Sequence, residues 1–96
     1  MLEVSEKAAA ALEDVRRNEG IPDSHGTRLT VGQQPGGDLV VRLEFVETPD
    51  EADQVTEQSG TEVYIDPELA EPLSSAVMDV TRGDEGVSFV FRPQDN

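Results

Sequence analysis

The stretch Arg28-Leu29-Thr30-Val31-Gly32-Gln33-Gln34-Pro35-Gly36-Gly37-Asp38-Leu39-Val40-Val41-Arg42-Leu43-Glu44-Phe45 sets the fold class. Leu29 and Val31 alternate with Arg28 and Thr30, and Leu39, Val41, Leu43 and Phe45 alternate with Val40, Arg42 and Glu44. Alternation with a period of two places one set of side chains on a buried face and the other toward water, so each run is a half-buried strand. Between them, Gly32 to Asp38 is rich in residues that tolerate positive φ, which makes the connection a hairpin loop.

Toward the N-terminus the period changes to that of a helix. Ser5 is the expected N-cap, Glu6 sits in the positive first turn, and Arg16 and Arg17 sit in the negative last turn before Asn18. Ala8, Ala11, Leu12 and Val15 form a narrow stripe of mostly small side chains, and Gly20 and Pro22 end the element. Such a helix lies close to a sheet while burying little area. Toward the C-terminus, Thr48 to Asp53 reads as an acidic loop. Thr61 to Ile65 reads as a strand, and Asp66 then caps a short helix that has Pro67 at its first position and is limited by Pro72. Two closing strands, around Val77 to Thr81 and Val87 to Phe91, flank the turn Gly83-Asp84-Glu85-Gly86. The expected fold is α+β and mostly β, a single domain over residues 1–96.

Composition closes off several function classes. The 96 residues carry 21 acids against 7 bases, one histidine and no cysteine, for a formal net charge of −14. That charge repels phosphate backbones and anionic lipid, so neither nucleic acid nor a membrane surface is an expected partner. No cysteine nucleophile, redox pair or Cys-ligated zinc or iron–sulfur site can be built from these residues alone. No apolar run approaches the ~18 residues of a membrane span and no basic-then-apolar leader opens the sequence, so a cytoplasmic location is expected.

The remaining candidates for chemistry are few. His25 lies in the polar loop Asp23-Ser24-His25-Gly26 and is expected to be a solvated loop histidine, because sequence adjacency to Asp23 does not make a triad. Asp50-Glu51-Ala52-Asp53 spells a helicase motif by its letters, but no glycine-rich phosphate loop accompanies it. Arg82-Gly83-Asp84 matches a tripeptide recognised by integrins, yet its place between two strands makes it a hairpin turn. No nucleophile elbow occurs, and an aromatic content of 4% is too low for a stacking platform, so the protein is not expected to be an enzyme.

Several strings in order resemble the HesB/IscA family, the A-type iron–sulfur cluster carriers. They are Val4-Ser5-Glu6-Lys7-Ala8-Ala9, Gly26-Thr27-Arg28-Leu29-Thr30-Val31, Leu43-Glu44-Phe45-Val46-Glu47-Thr48-Pro49, Gly60 ahead of Val63-Tyr64-Ile65-Asp66, Met78-Asp79-Val80, and Gly86-Val87-Ser88-Phe89-Val90-Phe91. The resemblance covers nearly the whole sequence, with a small deletion near Arg82 to Asp84. It implies a small mixed-sheet sandwich or partial barrel with an N-terminal helix and a short second helix.

The departure from the family is as informative as the match. Carriers place one cysteine in a loop of the form S-G-C-S-G and two more in a C-terminal C-G-C. Here the corresponding loop is Gln34-Pro35-Gly36-Gly37-Asp38, with Gly36 at the cysteine position, and the sequence ends at Asn96 ahead of the second motif. The resemblance therefore implies a vestigial cluster loop and no cofactor. The expected function is a non-catalytic, protein-interaction or accessory role, with a protein partner or a homodimer as the assembly. The competing expectation is a site for iron or another hard cation built from Asp38, Asp50, Glu51 and Asp53, since oxygen ligands suit such ions without any thiol.

Overall fold

The computed structural model describes residues 1–33, 39–84 and 86–94, and not the side chains of Gln33 and Leu39. In chain order the elements are β1 (Glu3–Val4), α1 (Glu6–Asn18), β2 (Gly26–Gln33), β3 (Leu39–Val46), β4 (Gln54–Gln58), β5 (Thr61–Ile65), α2 (Pro67–Ala70), β6 (Ala76–Gly83) and β7 (Gly86–Pro93). They form two mixed sheets, one ordered β1-β6-β7 and the other β3-β2-β5-β4. Among the described residues the sheets do not close into a barrel.

The hairpin read from the sequence is present, with β2 and β3 antiparallel and Leu29 opposite Leu43, Val31 opposite Val41. Strand β5 then lies parallel to β2, Thr27 opposite Val63 and Leu29 opposite Ile65. The Asp66 N–H continues that pairing by donating to the Leu29 carbonyl at 3.0 Å. Residues Leu29, Val63 and Ile65 have no exposed surface and form the centre of the core.

Helix α1 begins as its sequence requires. The Ser5 hydroxyl accepts from the Ala8 N–H at 3.0 Å and donates to Asp79 Oδ1 at 2.9 Å, so one side chain both caps the helix and ties it to β6. Buried Ala8, Ala9 and Ala11 let the helix axis approach the sheets, while Leu12 is the one large side chain of the helix that is fully buried. Helix α2 is capped by Asp66, whose Oδ1 accepts from the Glu68 N–H at 2.8 Å, and it inserts Leu69 into the same core.

Two strands were not foreseen in the sequence, and the reasons differ. Strand β1 has two residues, Glu3 and Val4, paired parallel with Val77 and Met78, too short to show any period. Strand β4 shows alternation of the wrong sign: Val55 is 50% exposed, and the residue it buries is Thr56, at 8%. It pairs with β5 through the two-residue turn Ser59-Gly60, both at positive φ (53° and 78°), the geometry that joins right-twisted antiparallel strands.

Candidate functional site

The stem of the β2–β3 hairpin carries Gln33 opposite Leu39 at its end, and the loop between them, Gln34 to Asp38, lies outside the described residues. Beside that stem, Leu29, Val41, Leu43, Met78, Phe89 and Phe91 surround an apolar cleft of about 230 Å³ between the two sheets. Its lining side chains are all apolar, and none of them can titrate or serve as a base.

The carboxylates singled out as a hard-cation site are drawn together in part, around a cation that the chain itself supplies. Arg28 donates from Nε to Asp53 Oδ2 at 2.7 Å and from Nη2 to Asp53 Oδ1 at 3.1 Å, a bidentate pair, and also from Nη2 to Asp50 Oδ2 at 2.8 Å. Asp66 Oδ2 lies 3.5 Å and Glu44 Oε1 3.7 Å from the same guanidinium. The Asp53 carboxylate is fully buried and also accepts from the Asp50 N–H at 3.0 Å. The hydrogen bond from Arg28 holds the Asp53 carboxyl below its ordinary value, and the carboxylates hold the guanidinium above its own. Glu51 is exposed and stands outside this arrangement, and Asp38 lies outside the described residues. Among the described residues, no three His, Asp or Glu side chains are grouped so as to hold a metal ion.

Arg28 was read only as the outward residue of an alternating strand, and its role as a hub was missed. A signal did exist: from Leu43 to Thr81 the sequence has no lysine or arginine, so the acids of that segment depend on a base from elsewhere. Asp66, read as an N-cap, serves both as the cap and as a partner of Arg28. His25 departs from the solvated reading: the residue is only partly exposed, and its Nδ1 is buried without a hydrogen-bond partner. Arg82-Gly83-Asp84 forms the end of β6 and the start of its turn into β7.

Compared with known proteins, the chain is 35% identical over 95 residues to an uncharacterised protein in the nifU 5′ region of Cereibacter sphaeroides, covering 95% of this chain and 85% of the relative. Its fold superimposes on the crystal structure of IscA with the [2Fe-2S] cluster with a TM-score of 0.85 and 26% identity, over 97% of this chain and 85% of that one. The chain belongs to the HesB/IscA family. This HesB/IscA chain has no cysteine among its 96 residues. Other structures carry the same fold. The crystal structure of Escherichia coli SufA, involved in biosynthesis of iron–sulfur clusters, matches with a TM-score of 0.76 and 22% identity over 96% of this chain and 79% of SufA. A protein from Aquifex aeolicus, solved by NMR, matches with a TM-score of 0.76 and 25% identity over 97% of this chain and 91% of that one. No family model matches the sequence. No helix among the described residues is long and apolar enough to cross a membrane.

Proposed function

We propose that this HesB/IscA chain is a non-catalytic accessory protein of iron–sulfur cluster assembly, acting through protein contacts and not by holding a cluster. The observation that carries this reading is the combination of a backbone that follows cluster-bearing IscA over 97% of its length with a sequence that contains no thiolate. Iron–sulfur clusters are held by Cys thiolates, and even the Rieske type needs two cysteines beside its two imidazoles, whereas this chain has one histidine. The scaffold is thus present without the ligands, and what it retains is a surface. Its partners would be other proteins of the same assembly machinery or a second copy of the chain.

The hard-cation alternative has weaker support, because Asp50 and Asp53 already face Arg28. Two measurements test the proposal and a third tests the alternative. Anaerobic incubation with ferrous iron and sulfide, followed by desalting, should leave no protein-bound iron–sulfur absorption, and a stable band would overturn the reading. Chemical crosslinking in cells of its own source should capture iron–sulfur assembly proteins, and their absence from the crosslinked set would count equally against it. Calorimetric titration with ferrous, ferric, calcium and magnesium ions should give no saturable heat. Stoichiometric binding would restore the carboxylate site.

A further inference from the structure

A second cleft, of about 240 Å³, opens at the far end of β2 from the hairpin loop, between α1, the loop leading into β2, and the β4–β5 hairpin. Glu13, Glu57 and Glu62 line it, and the one arginine among its described lining residues, Arg16, is 11% exposed and donates to Asp23 at 2.7 Å. Glu62 is fixed in place, since the Tyr64 hydroxyl donates to its Oε2 at 2.6 Å, a bond that together with burial pushes the phenol up to about 12. Tyr64 itself can lie there only because residue 26 is glycine: a Cβ on Gly26 would stand 2.6 Å from the ring.

Two further polar groups on this cleft have nothing to bond. Thr61, 8% exposed, has a buried Oγ1 without a partner, and His25 has a buried Nδ1 without one. Buried polar atoms in folded proteins are almost always satisfied, so two orphans lining one cleft point to a group supplied from outside the chain. The chemistry of that group follows from the lining. The carboxylates only accept, and the Thr61 hydroxyl and the imidazole Nδ1 can each accept as well as donate, so a cation with N–H donors of its own is the class of partner that suits all of them. A bare metal ion is disfavoured, because no three His, Asp or Glu side chains among the described residues are grouped to hold one. Leu12 and Phe45 on the same cleft suit the methylenes behind a cationic head.

We propose that this cleft binds a primary alkylammonium group on a short aliphatic chain, with Thr61 and His25 as hydrogen-bond acceptors and the glutamates supplying the negative potential around it. The chemistry is shared by a free aliphatic diamine and by a lysine side chain, and the probes separate them: 1,4-diaminobutane and Nα-acetyl-lysine amide, each titrated into the ¹⁵N-labelled full chain at constant ionic strength. The expected result is a saturable set of shifts confined to residues around His25, Gly60, Thr61 and Glu62. The probe that binds more tightly identifies the source. The double variant Glu57→Gln/Glu62→Gln should weaken binding about 10-fold or more, and Thr61→Val about 3-fold or more. Glu68→Gln/Glu71→Gln, the same charge change on and beside α2, should change it by less than about 2-fold. Non-saturating shifts spread over the acidic surface, equal weakening by the two double variants, or the same saturable shifts with magnesium chloride in place of the amines would each overturn the proposal.

Discussion

The two sheets meet along two seams that are held by different physics. Along the first, the side chain of Gln58 at the end of β4 reaches across to β1, accepting from the Val4 N–H at 2.7 Å and donating to the Leu2 carbonyl at 2.8 Å. An amide side chain there does the work of a strand neighbour. Along the second, β3 and β7 each have a single strand neighbour, and Val41, Leu43, Phe89 and Phe91 meet around the apolar cleft, all partly buried. The closed seam depends on direction and distance, and the open seam on area alone. Strand β4 shows why the closed seam needs such anchors: it buries only Thr56, so Asp53 in the grip of Arg28 just before its start and Gln58 at its end supply what an apolar face would otherwise give. Directional anchors fix one register, whereas an apolar edge tolerates a change of neighbour and is where another chain can be admitted.

The sharpest way to break the closed seam is at Arg28. Arg28→Met keeps much of the stem's bulk but leaves Asp53 buried and unpaired, and the expected loss is about 3–5 kcal/mol in urea unfolding. The pairs to exposed Asp50 and Glu44 contribute little to this figure, because solvent screens them. A loss below about 1 kcal/mol would mean that the carboxylate hub is no anchor. The same variant reverses the response to acid. In the native chain the Asp53 carboxyl is held below its unfolded value of about 3.9. Its contribution is therefore complete above that pH and fades as pH falls through the lower, folded value. Asp79, held down by the Val80 N–H, then by Ser5 and by Arg92, acts in the same direction. Without Arg28, burial drives the Asp53 carboxyl upward instead, so acidification should narrow the stability gap between Arg28→Met and the native chain. A gap that stays constant or widens from neutral pH to about pH 4 would refute the ion-pair account.

The second variant, Gln58→Leu, acts at the other end of β4. It removes both hydrogen bonds to β1 and leaves the Val4 N–H and the Leu2 carbonyl without those partners, for an expected loss of about 2 kcal/mol. Hydrogen exchange at the Val4 amide should accelerate more than exchange in β2. Uniform acceleration over both sheets would show that Gln58 is not a local tie.

How far these seams were legible in the sequence follows the same division. The apolar half was: Leu29 and Leu43 declared themselves by alternation, Phe89 and Phe91 fell in an expected closing strand, and Ser5, Asp66 and Pro67 marked the helices by capping chemistry. The polar half was not. Gln54-Val55-Thr56-Glu57-Gln58 has no apolar pattern because hydrogen bonds from Gln58 replace the core contact, and a single glutamine gives no sign of which backbone it will meet. Arg28 pairs with carboxylates 22, 25 and 38 residues away, separations that only the parallel β2–β5 pairing makes short. The cleft around His25 was hidden for the same reason, since its lining comes from α1, β3 and the β4–β5 hairpin.

On the open seam the expected effects are smaller. Phe91→Ala removes a partly buried ring from the cleft, and because that ring keeps some exposure the loss should fall to about 1–2 kcal/mol, below the ~3–5 kcal/mol of a fully buried aromatic. Val90, beside it on β7, is 37% exposed and lies opposite Asp79 on β6. Val90→Lys places a cation across from a carboxylate on the solvent face, so stability should change by less than about 0.5 kcal/mol. If two copies associate through this edge, the added charges meet at the interface, and sedimentation should show self-association weakened in a chain that melts like the native one. A loss of stability above about 1 kcal/mol in Val90→Lys would show that β7 is held from its outer face as well, and the contrast between a tied seam and a free one would no longer stand.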